Sequence, residues 1–471
     1  MDYKRIHFIG IGGAGMSGIA KVLLEMGYYV SGSDIKESRN TLSLKKQGAS
    51  ITIGHSPENL NSTDVVVVSS AIKENNSELK FAKEKGILVL KRAEMLSKLG
   101  ERKVGILVAG THGKTTTTSL LSCMFEKNGL KPTFLIGGEL NDIGSNAKYG
   151  TGNFFIAEAD ESDGSFLYLK PDTIVITNIE EDHLDYFKSL KNIESIFLKF
   201  VKLLPPDGRL IINGDHPTNK KFIEKIKSDP ACSQIKCVTY GFEDGNDYQA
   251  KNLSFNSFGS SFDAFAKKKK GGSVSLKIPG RHNICNSLAA IAVGDLVGIK
   301  FSNMTGALGE FNGVKRRFQF IGKSSEVTVV DDYAHHPSEV KVTLNAARQG
   351  EWGRIICVFQ PHRYSRTKFL AKDFGNSFNQ ADMVIITDIY GAGEMPEPGI
   401  SGKLILDSIL EGCPRANAVY LPKKADIKDF LCKLVEERDL VLTMGAGDIH
   451  VVGEDFLSSF TNKSRFAEVN N

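Results

Sequence analysis

Two glycine-rich loops near the start of this 471-residue chain have the spacing of nucleotide-binding turns. In the second, "GTHGKTT", the backbone would turn through Gly110 and Gly113 after an apolar strand, and a helix would start near Lys114. Backbone amides and a helix N-terminus can hold a polyphosphate, Lys114 adds positive charge for the β and γ phosphates, and the Thr115 hydroxyl can ligate Mg²⁺. The loop therefore predicts a site for ATP and magnesium.

The match to the usual phosphate-binding pattern is incomplete, because that pattern requires glycine at the position of Val108. Strand, loop and helix nevertheless follow one another in the required order, which favours a phosphate site over an ordinary strand–helix turn. The residues predicted to contact ATP from this loop are Gly110, Thr111, His112, Gly113, Lys114, Thr115 and Thr116.

The first loop, "GIGGAG", is followed by a helical stretch and a strand ending at Asp34, where an acid can bind a ribose. This combination normally indicates NAD or FAD, but the pattern reports only a diphosphate between two groups, and a UDP-sugar also fits it. A dehydrogenase is therefore one open interpretation, and a non-enzymatic ATP switch is another. The residues predicted at this first site are Gly10, Gly12, Gly13, Ala14, Gly15 and Asp34.

An acidic cluster follows an apolar strand in "FFIAEADESDG". Glu158 ends that strand and would hold the Mg²⁺ that bridges the ATP phosphates, whereas Asp160, Glu161 and Asp163 are of a type that more commonly caps turns. His183, in "TNIEEDHLDYF", follows another strand, and both a structural role and a role beside the metal are open for it. The predicted metal-binding residues are Thr115, Glu158 and His183.

Two asparagines occur three residues apart in "GRHNICNSLAA". Asn283 and Asn286 would lie on one face of a helix start, where they could hydrogen-bond an adenine edge. Helix capping by Asn283 is the alternative interpretation.

Two later segments combine basic, acidic and aromatic side chains. "DDYAHHP" offers Asp332, Tyr333 and His335 where a strand runs into a loop. "QPHRYSRT" places Arg363 and Arg366 three residues apart on one face as a helix begins, which suits a carboxylate or a phosphate. On an isolated helix, such arginines are more often surface charges.

The elements that would position these residues alternate between strand-like and helical stretches, which is typical of stacked βαβ units with parallel sheets. We therefore expect an α/β fold of three domains. These are a Rossmann-like domain over residues 1–102, a central P-loop domain over 103–314 and a C-terminal Rossmann-like domain over 315–471. Short alternating runs over 237–280 suggest an antiparallel patch.

Composition narrows the class of protein. A hydrophobic fraction of 41% without a long uncharged apolar run predicts a soluble protein with no membrane partner. The net charge of +4 is too small to indicate nucleic acid. The 7 cysteines form no CxxC pair, and the N-terminus leaves no room for a signal peptide, so we expect a cytoplasmic protein with reduced thiols.

Together these stretches resemble the Mur ligases. The resemblance extends from residue 6 to about 394, with "GAGDI" near the end, and so covers most of the chain. The segments that carry it are "HFIGIGGAGMSGIA", "VSGSD", "VVVVSSAI", "RAEML", "AGTHGKTTTT", "AEADESDGSF", "TNIEEDHLDYF", "PGRHNICNSLAAIAV", "GVKRRF", "DDYAHHPSEV", "QPHRYSRT" and "IYGAGE".

The resemblance implies that the first loop holds a UDP-sugar and the second holds ATP. It further implies that the lactyl carboxylate of UDP-N-acetylmuramate attacks the γ-phosphate to give an acyl phosphate. The amino group of L-alanine would then displace phosphate through a tetrahedral intermediate, as a step of peptidoglycan precursor synthesis. The partners would be these two small-molecule substrates, with the chain a monomer or a weak homodimer. Within the family, a recycling ligase that attaches a tripeptide to the same UDP-sugar is the nearest alternative.

The resemblance also assigns roles to residues. Ser69 and Ser70 would join the UDP-sugar site, and a second Mg²⁺ would lie near Glu158 and His183. The third domain would contribute nucleotide contacts, from Arg317 and Asp332, and amino-acid contacts, from Tyr333, His335, Arg363 and Arg366. The residues expected to take part in catalysis are Lys114, Glu158, His183, His335 and Arg366.

Lys199 occupies a position close to that of a carbamoylated lysine in several sibling ligases. At about 100° per residue, the helical pattern of "IESIFLKFVKLL" places Lys199 on the polar side, away from the apolar arc that contains Ile193, Phe197 and Phe200. Carbamoylation requires an uncharged lysine, and a solvated face does little to lower a lysine pKa. We therefore predict that Lys199 is exposed and unmodified.

Overall fold

The structure, a computed structural model, describes residues 3–162, 164–182 and 187–469, with side chains described to residue 459. The chain divides into two compact units. The first unit contains residues 1–252, 262–274 and 285–311, and the second contains 253–261, 275–284 and 312–471. The described strands form three sheets, of 5, 10 and 6 strands.

The first sheet has the strand order β3-β2-β1-β4-β5, and all its pairings are parallel. The chain reverses its direction of travel across the sheet between β1 and β4, and ligands of such sheets bind at that point. Its strands are β1 (Arg5–Ile9), β2 (Tyr29–Asp34), β3 (Ser50–Ile53), β4 (Val65–Val68) and β5 (Leu88–Lys91), and its helices are α1 (Ala14–Glu25), α2 (Arg39–Lys46), α3 (Ser77–Glu84) and α4 (Arg92–Gly100).

The second sheet has the order β15-β14-β13-β12-β11-β10-β6-β9-β7-β8. Strand β6 lies between β10 and β9 and pairs with both in parallel, so the carboxyl ends of these three strands meet at one edge. Its strands are β6 (Val104–Ala109), β7 (Thr133–Leu140), β8 (Ser145–Lys148), β9 (Phe154–Glu158), β10 (Thr173–Ile176), β11 (Arg209–Asn213), β12 (Lys236–Gly241), β13 (Tyr248–Asn256), β14 (Gly259–Ala266) and β15 (Lys269–Leu276).

Five helices accompany this part of the chain. Helix α7 connects β11 to β12, and β12 therefore pairs in parallel with β11 as a βαβ unit does. The expectation of an antiparallel patch that begins at residue 237 is wrong for this strand. The helices are α5 (Lys114–Lys127), α6 (Leu190–Val201), α7 (Pro217–Ser228), α8 (Arg281–Leu296) and α9 (Phe301–Gly309).

The third sheet has the order β16-β17-β21-β18-β19-β20, and only its β16–β17 pairing is antiparallel. Its strands are β16 (Gln319–Ser324), β17 (Val327–Asp332), β18 (Ile355–Phe359), β19 (Met383–Ile386), β20 (Ala418–Tyr420) and β21 (Leu440–Met444), and its helices are α10 (Pro337–Ala347), α11 (Tyr364–Gly375), α12 (Lys403–Gly412), α13 (Lys424–Leu434) and α14 (His450–Val469).

The cores follow from the apolar strands. "VVVV" in β4 and "IICVF" in β18 are continuous apolar runs, which is what strands covered on both faces require. Every residue of β18 is buried. The expected α/β class with parallel sheets is confirmed. Among the described residues, no helix combines the length and the apolar character needed to cross a membrane.

Candidate active site

The first glycine loop joins β1 to α1 at the point where the first sheet reverses. Gly10 has a φ of 81°, which favours glycine, and its backbone N–H donates to the Ser33 carbonyl. Helix α1 begins after Gly13, which provides no side-chain cap. The first N–H groups of any helix have no intrahelical acceptor, and here no side-chain cap binds them either. They can therefore bind an anion.

Asp34 and the serines after β4 border this loop. One Asp34 carboxylate oxygen accepts the Gly12 N–H at 2.8 Å, and the other accepts the Ile35 N–H at 2.8 Å. Asp34 thus holds the loop in shape, in addition to the ribose contact that the sequence predicts. Ser69 lies beside Gly10, since a Cβ at that glycine would be 3.2 Å from the Ser69 Cβ.

The second glycine loop joins β6 to α5, as the sequence predicts. Gly110 has a φ of 133° and Gly113 a φ of 82°, and a Cβ at Gly110 would lie 2.1 Å from the Thr177 hydroxyl oxygen. Both positions therefore require glycine. Helix α5 starts at Lys114, and Thr115 and Thr116 lie buried in its first turn.

The loop after β10 shapes this second loop. The N–H of Thr111 donates to the Asn178 carbonyl at 3.0 Å, and the N–H of His112 donates to the Asn178 side-chain oxygen at 2.8 Å. The Thr177 hydroxyl donates to the His112 carbonyl. The backbone N–H groups of Thr111 and His112 are thus bonded to Asn178. The N–H groups left to bind a phosphate are those at the start of α5.

Lys114 is bound on three sides. Its ammonium donates to the Gly110 carbonyl at 2.6 Å, to the Thr111 carbonyl at 3.2 Å and to a Glu161 carboxylate oxygen at 2.7 Å. Burial opposes its charge, but Glu161 and Asp160 outweigh this effect and raise the pKa of Lys114. Burial raises the pKa of Glu161 to about 7, against the opposing effect of Lys114.

Glu158 ends β9, directly beside β6. One of its carboxylate oxygens accepts the Gly137 N–H at 2.7 Å. Among the described residues, no three His, Cys, Asp or Glu side chains converge into a metal site. Mg²⁺ prefers oxygen ligands and is commonly held by one or two protein groups together with substrate phosphates. The hydroxyl of Thr115 and the carboxylate of Glu158 fit that pattern. His183 and Asp163 lie outside the described residues.

Asn283 and Asn286 both lie on α8 and are buried. The amide of Asn286 touches the second loop, because a Cβ at Gly113 would be 2.7 Å from its side-chain oxygen. The side-chain nitrogen of Asn283 donates to the Pro279 carbonyl at 2.6 Å. Asn283 therefore anchors the start of α8, but it is the third residue of the helix and acts here as a donor, so this contact is not the helix cap of the alternative interpretation. The adenine contact stays a prediction.

In the second unit, Asp332 ends β17, and both oxygens of its carboxylate accept hydrogen bonds. Its two carboxylate oxygens accept the Phe318 N–H at 2.7 Å and the Ala334 N–H at 2.8 Å. Burial raises its pKa to about 6, although Arg317 opposes the shift. Arg317 packs over the Tyr333 ring, 5.2 Å from its centroid. Asp332 thus shapes the segment that carries Arg317.

Two histidines and an arginine form a cluster at the carboxyl ends of β17 and β18. The rings of His335 and His362 are 5.6 Å apart, and an Arg366 nitrogen lies 3.2 Å from the Nδ1 of His362. The Nδ1 of His335 lies 3.0 Å from the Tyr333 carbonyl. Burial, His335 and Arg366 together lower the pKa of His362 to about 3, so its ring is neutral.

Arg363 immediately precedes α11 and has a φ of 71°, an uncommon conformation for a residue with a side chain. Its backbone N–H donates to the Tyr390 carbonyl at 2.9 Å. Strained backbone of this kind is concentrated at functional sites. The helix begins where the sequence predicts, and Arg366 lies in its first turn, but Arg363 precedes it with non-helical backbone, so the expectation that both arginines share one helix face is not met. Their ligand stays a prediction.

Sequence reasoning overlooked several contributors. Asn178 and Thr177 are ordinary polar residues after a strand, and nothing in their spacing distinguishes them. Glu161 belongs to an acidic cluster of a type that more commonly caps turns, yet it pairs with Lys114. His362 stands inside "QPHRYSRT", and its position one residue before Arg363 was the available signal.

These features define a class: a multidomain α/β protein with two nucleotide-type glycine loops on two separate sheets. Three family models match successive parts of the chain. They are "Mur ligase family, catalytic domain" over residues 5–104, "Mur ligase middle domain" over 108–294 and "Mur ligase, glutamate ligase domain" over 316–447. The chain belongs to the Mur ligase family.

Individual relatives match over nearly their whole length. The chain is 48% identical over 465 residues to the UDP-N-acetylmuramate–L-alanine ligase of Desulforamulus reducens, with 98% of each chain covered. It is 46% identical to the ligase of the same name from Dictyoglomus turgidum, with 97% of each covered. The crystal structure of the UDP-N-acetylmuramate-alanine ligase MurC of Thermotoga maritima superposes with a TM-score of 0.81 at 28% identity, covering 98% of this chain and 99% of that one.

Proposed function

We propose that this chain ligates L-alanine to the lactyl carboxylate of UDP-N-acetylmuramate and converts ATP to ADP and phosphate. The observation that carries the proposal is the presence of two glycine loops, each at the carboxyl edge of its own sheet, in a chain similar over its full length to ligases of that name. A dehydrogenase would leave the second loop without a role, and an ATP switch would leave the first without one.

The first loop binds the UDP-sugar. Its helix end offers N–H groups to the diphosphate, and Asp34 and Ser69 border the same crevice. The reaction then places a carboxylate against the γ-phosphate of ATP, and two anions must meet. Lys114 offsets that charge from the start of α5.

The metal site in this proposal is made by Thr115 and Glu158, with His183 as a further predicted ligand. Mg²⁺ held there would screen the charge of the phosphates and of the attacking carboxylate. Asn286 lies against Gly113 and would contact the nucleotide beyond the phosphates. In this proposal Asn283, three residues earlier on the same helix, is a second contact to the adenine.

The second unit carries the residues that would bind the amino acid. Arg363 and Arg366 suit the carboxylate of L-alanine, because guanidinium groups bind carboxylates through paired hydrogen bonds. His335 and Tyr333 orient the amino group, and Asp332 holds the segment that carries Arg317, a predicted nucleotide contact. An acyl phosphate hydrolyses readily, so the site must exclude water before chemistry begins.

The decisive experiment measures phosphate release from ATP with UDP-N-acetylmuramate and each candidate acceptor in turn. We expect turnover with L-alanine and much less with glycine, L-serine or a tripeptide. Turnover with the tripeptide instead would assign the chain to the recycling branch. Reduction of NAD in the absence of ATP would restore the dehydrogenase interpretation.

The Lys114→Ala variant serves as the internal control of this assay. We expect it to abolish phosphate release while UDP-N-acetylmuramate binding is retained, because the two nucleotides bind at different sheets. Lys127→Ala, at the far end of α5, should behave like the parent chain. Loss of both binding activities in a folded Lys114→Ala variant would contradict the assignment of two separate sites.

A further inference from the structure

The carboxylate of Glu161 pairs with the lysine that is proposed to bind the phosphates. Its Oε1 is 2.7 Å from the Lys114 ammonium, at the start of the helix whose N–H groups would hold the phosphates. Glu161 is 3% exposed, and it follows β9 by three residues, in the loop beside the second glycine loop. An acid is thus built into the site intended for an anion.

The hydrogen-bonding capacity of Lys114 is already used in full. A lysine ammonium has three N–H donors, and these are directed at the Gly110 carbonyl, the Thr111 carbonyl and Glu161. The two carbonyls belong to the glycine loop itself, which Asn178 holds in place. A phosphate that bonds to Lys114 must therefore displace the carboxylate rather than a carbonyl.

The carboxylate is also the less firmly held partner. Its second oxygen, Oε2, is buried without a hydrogen-bond partner among the described residues. This unsatisfied buried oxygen is unfavourable, and so is the negative charge of the nearby Asp160 carboxylate. Glu161 should therefore stay beside Lys114 only while no stronger anion binds that lysine. Phosphate oxygens brought to the same point would repel Glu161 directly.

We propose that Glu161 is an anion placeholder, which occupies the phosphate position on Lys114 in the nucleotide-free chain and yields it when a nucleotide phosphate binds. The inference rests on the proposed nucleotide site and adds a feature to it. The placeholder keeps the buried ammonium paired, and the glycine loop in shape, between turnovers. The cost is a lower apparent affinity for nucleotide, since binding must first break the ion pair.

Removal of the negative charge at Glu161 should tighten nucleotide binding. Glu161→Gln keeps the size of the side chain and an oxygen acceptor but removes the charge that competes with phosphate. We therefore expect the Kd for ADP, measured calorimetrically without Mg²⁺, to fall by about tenfold. A residue that merely supported the fold, or that oriented Lys114 toward phosphate, would leave the Kd unchanged or raise it.

The matched control is Glu126→Gln, which removes the charge of another acid, one on α5, the helix that begins at Lys114. Glu126 pairs with Lys148 at 2.9 Å and lies near the far end of α5, so the ADP affinity should not change. If Glu161→Gln does not fold, Glu161→Asp tests the same point, because its shorter side chain falls short of Lys114. Thermal unfolding of each variant verifies that it is folded.

The two proposals fail in different ways. If the unmodified chain binds no ADP, the nucleotide site itself is wrong. If it binds ADP but the Glu161 variants bind it no more tightly, or Glu126→Gln tightens binding equally, the placeholder is wrong and the nucleotide site stands.

Discussion

The backbone N–H of His112 donates a 2.8 Å hydrogen bond to the side-chain oxygen of Asn178, so a residue after β10 shapes the phosphate loop after β6. The two residues are 66 positions apart in the chain and meet because β6 and β10 are parallel neighbours. The loop therefore does not depend on its glycines alone for its conformation.

Removal of this acceptor should weaken ATP use selectively. Asn178→Ala removes the acceptor of the partly buried His112 N–H, a loss of about 1–3 kcal/mol. We expect the KM for ATP to rise, with the affinity for UDP-N-acetylmuramate unchanged, as measured by steady-state kinetics and by titration with the UDP-sugar. Asn178→Asp, which retains the acceptor oxygen, should recover part of the loss. Equal effects of both variants on the two substrates would contradict a local role.

Gly12→Ala should damage the first site and spare the second. Its new Cβ would lie 2.8 Å from an Asp34 carboxylate oxygen and 3.1 Å from the Ser38 hydroxyl oxygen, so the loop must move. We expect the KM for UDP-N-acetylmuramate to rise by at least about tenfold, which corresponds to about 1.4 kcal/mol, while the KM for ATP is retained. Gly306→Ala, which adds a methyl group in open space, is the control. A parallel rise in the KM for ATP would argue against separate loops.

Arg366→Ala should act on the amino acid. A charge-assisted hydrogen bond contributes about 1.5–3 kcal/mol, so the KM for L-alanine should rise by about 10- to 100-fold with little change in ATP affinity. Arg366→Lys should recover little, because an ammonium cannot replace a planar two-point donor. Lys368→Ala, on the exposed face of the same helix and paired with Glu397, provides the control. An unaltered KM for L-alanine would return Arg366 to the class of surface charges.

Lys199→Ala should retain most activity. Lys199 is exposed, whereas Ile193, Phe197 and Phe200 on the opposite face of α6 are buried, as the helical pattern predicts. Carbamoylation requires the neutral amine, which burial favours, and this lysine lies on a solvated face. The assay should therefore show no dependence on added bicarbonate. An inactive variant that small carboxylates restore would contradict this prediction.

The sequence was most informative where local rules decide structure. Apolar strand, glycine turn and helix follow directly from residue type and period, and both loops form between the predicted elements, β1 and α1 in one case and β6 and α5 in the other. The polar side of α6 was predictable for the same reason. The strand β12 was not, because its parallel pairing depends on the path of α7 over the sheet.

By itself, the sequence determined the α/β class, the two glycine loops and the polar residues at strand ends, because each of these depends on neighbours in the chain. Only the tertiary structure decided which of those residues meet. Asn178 reaches His112, Glu161 reaches Lys114, and His362 reaches His335. The physical reason is that parallel strands bring their carboxyl ends to one edge from distant parts of the chain, and no periodicity within a segment encodes which strands are adjacent.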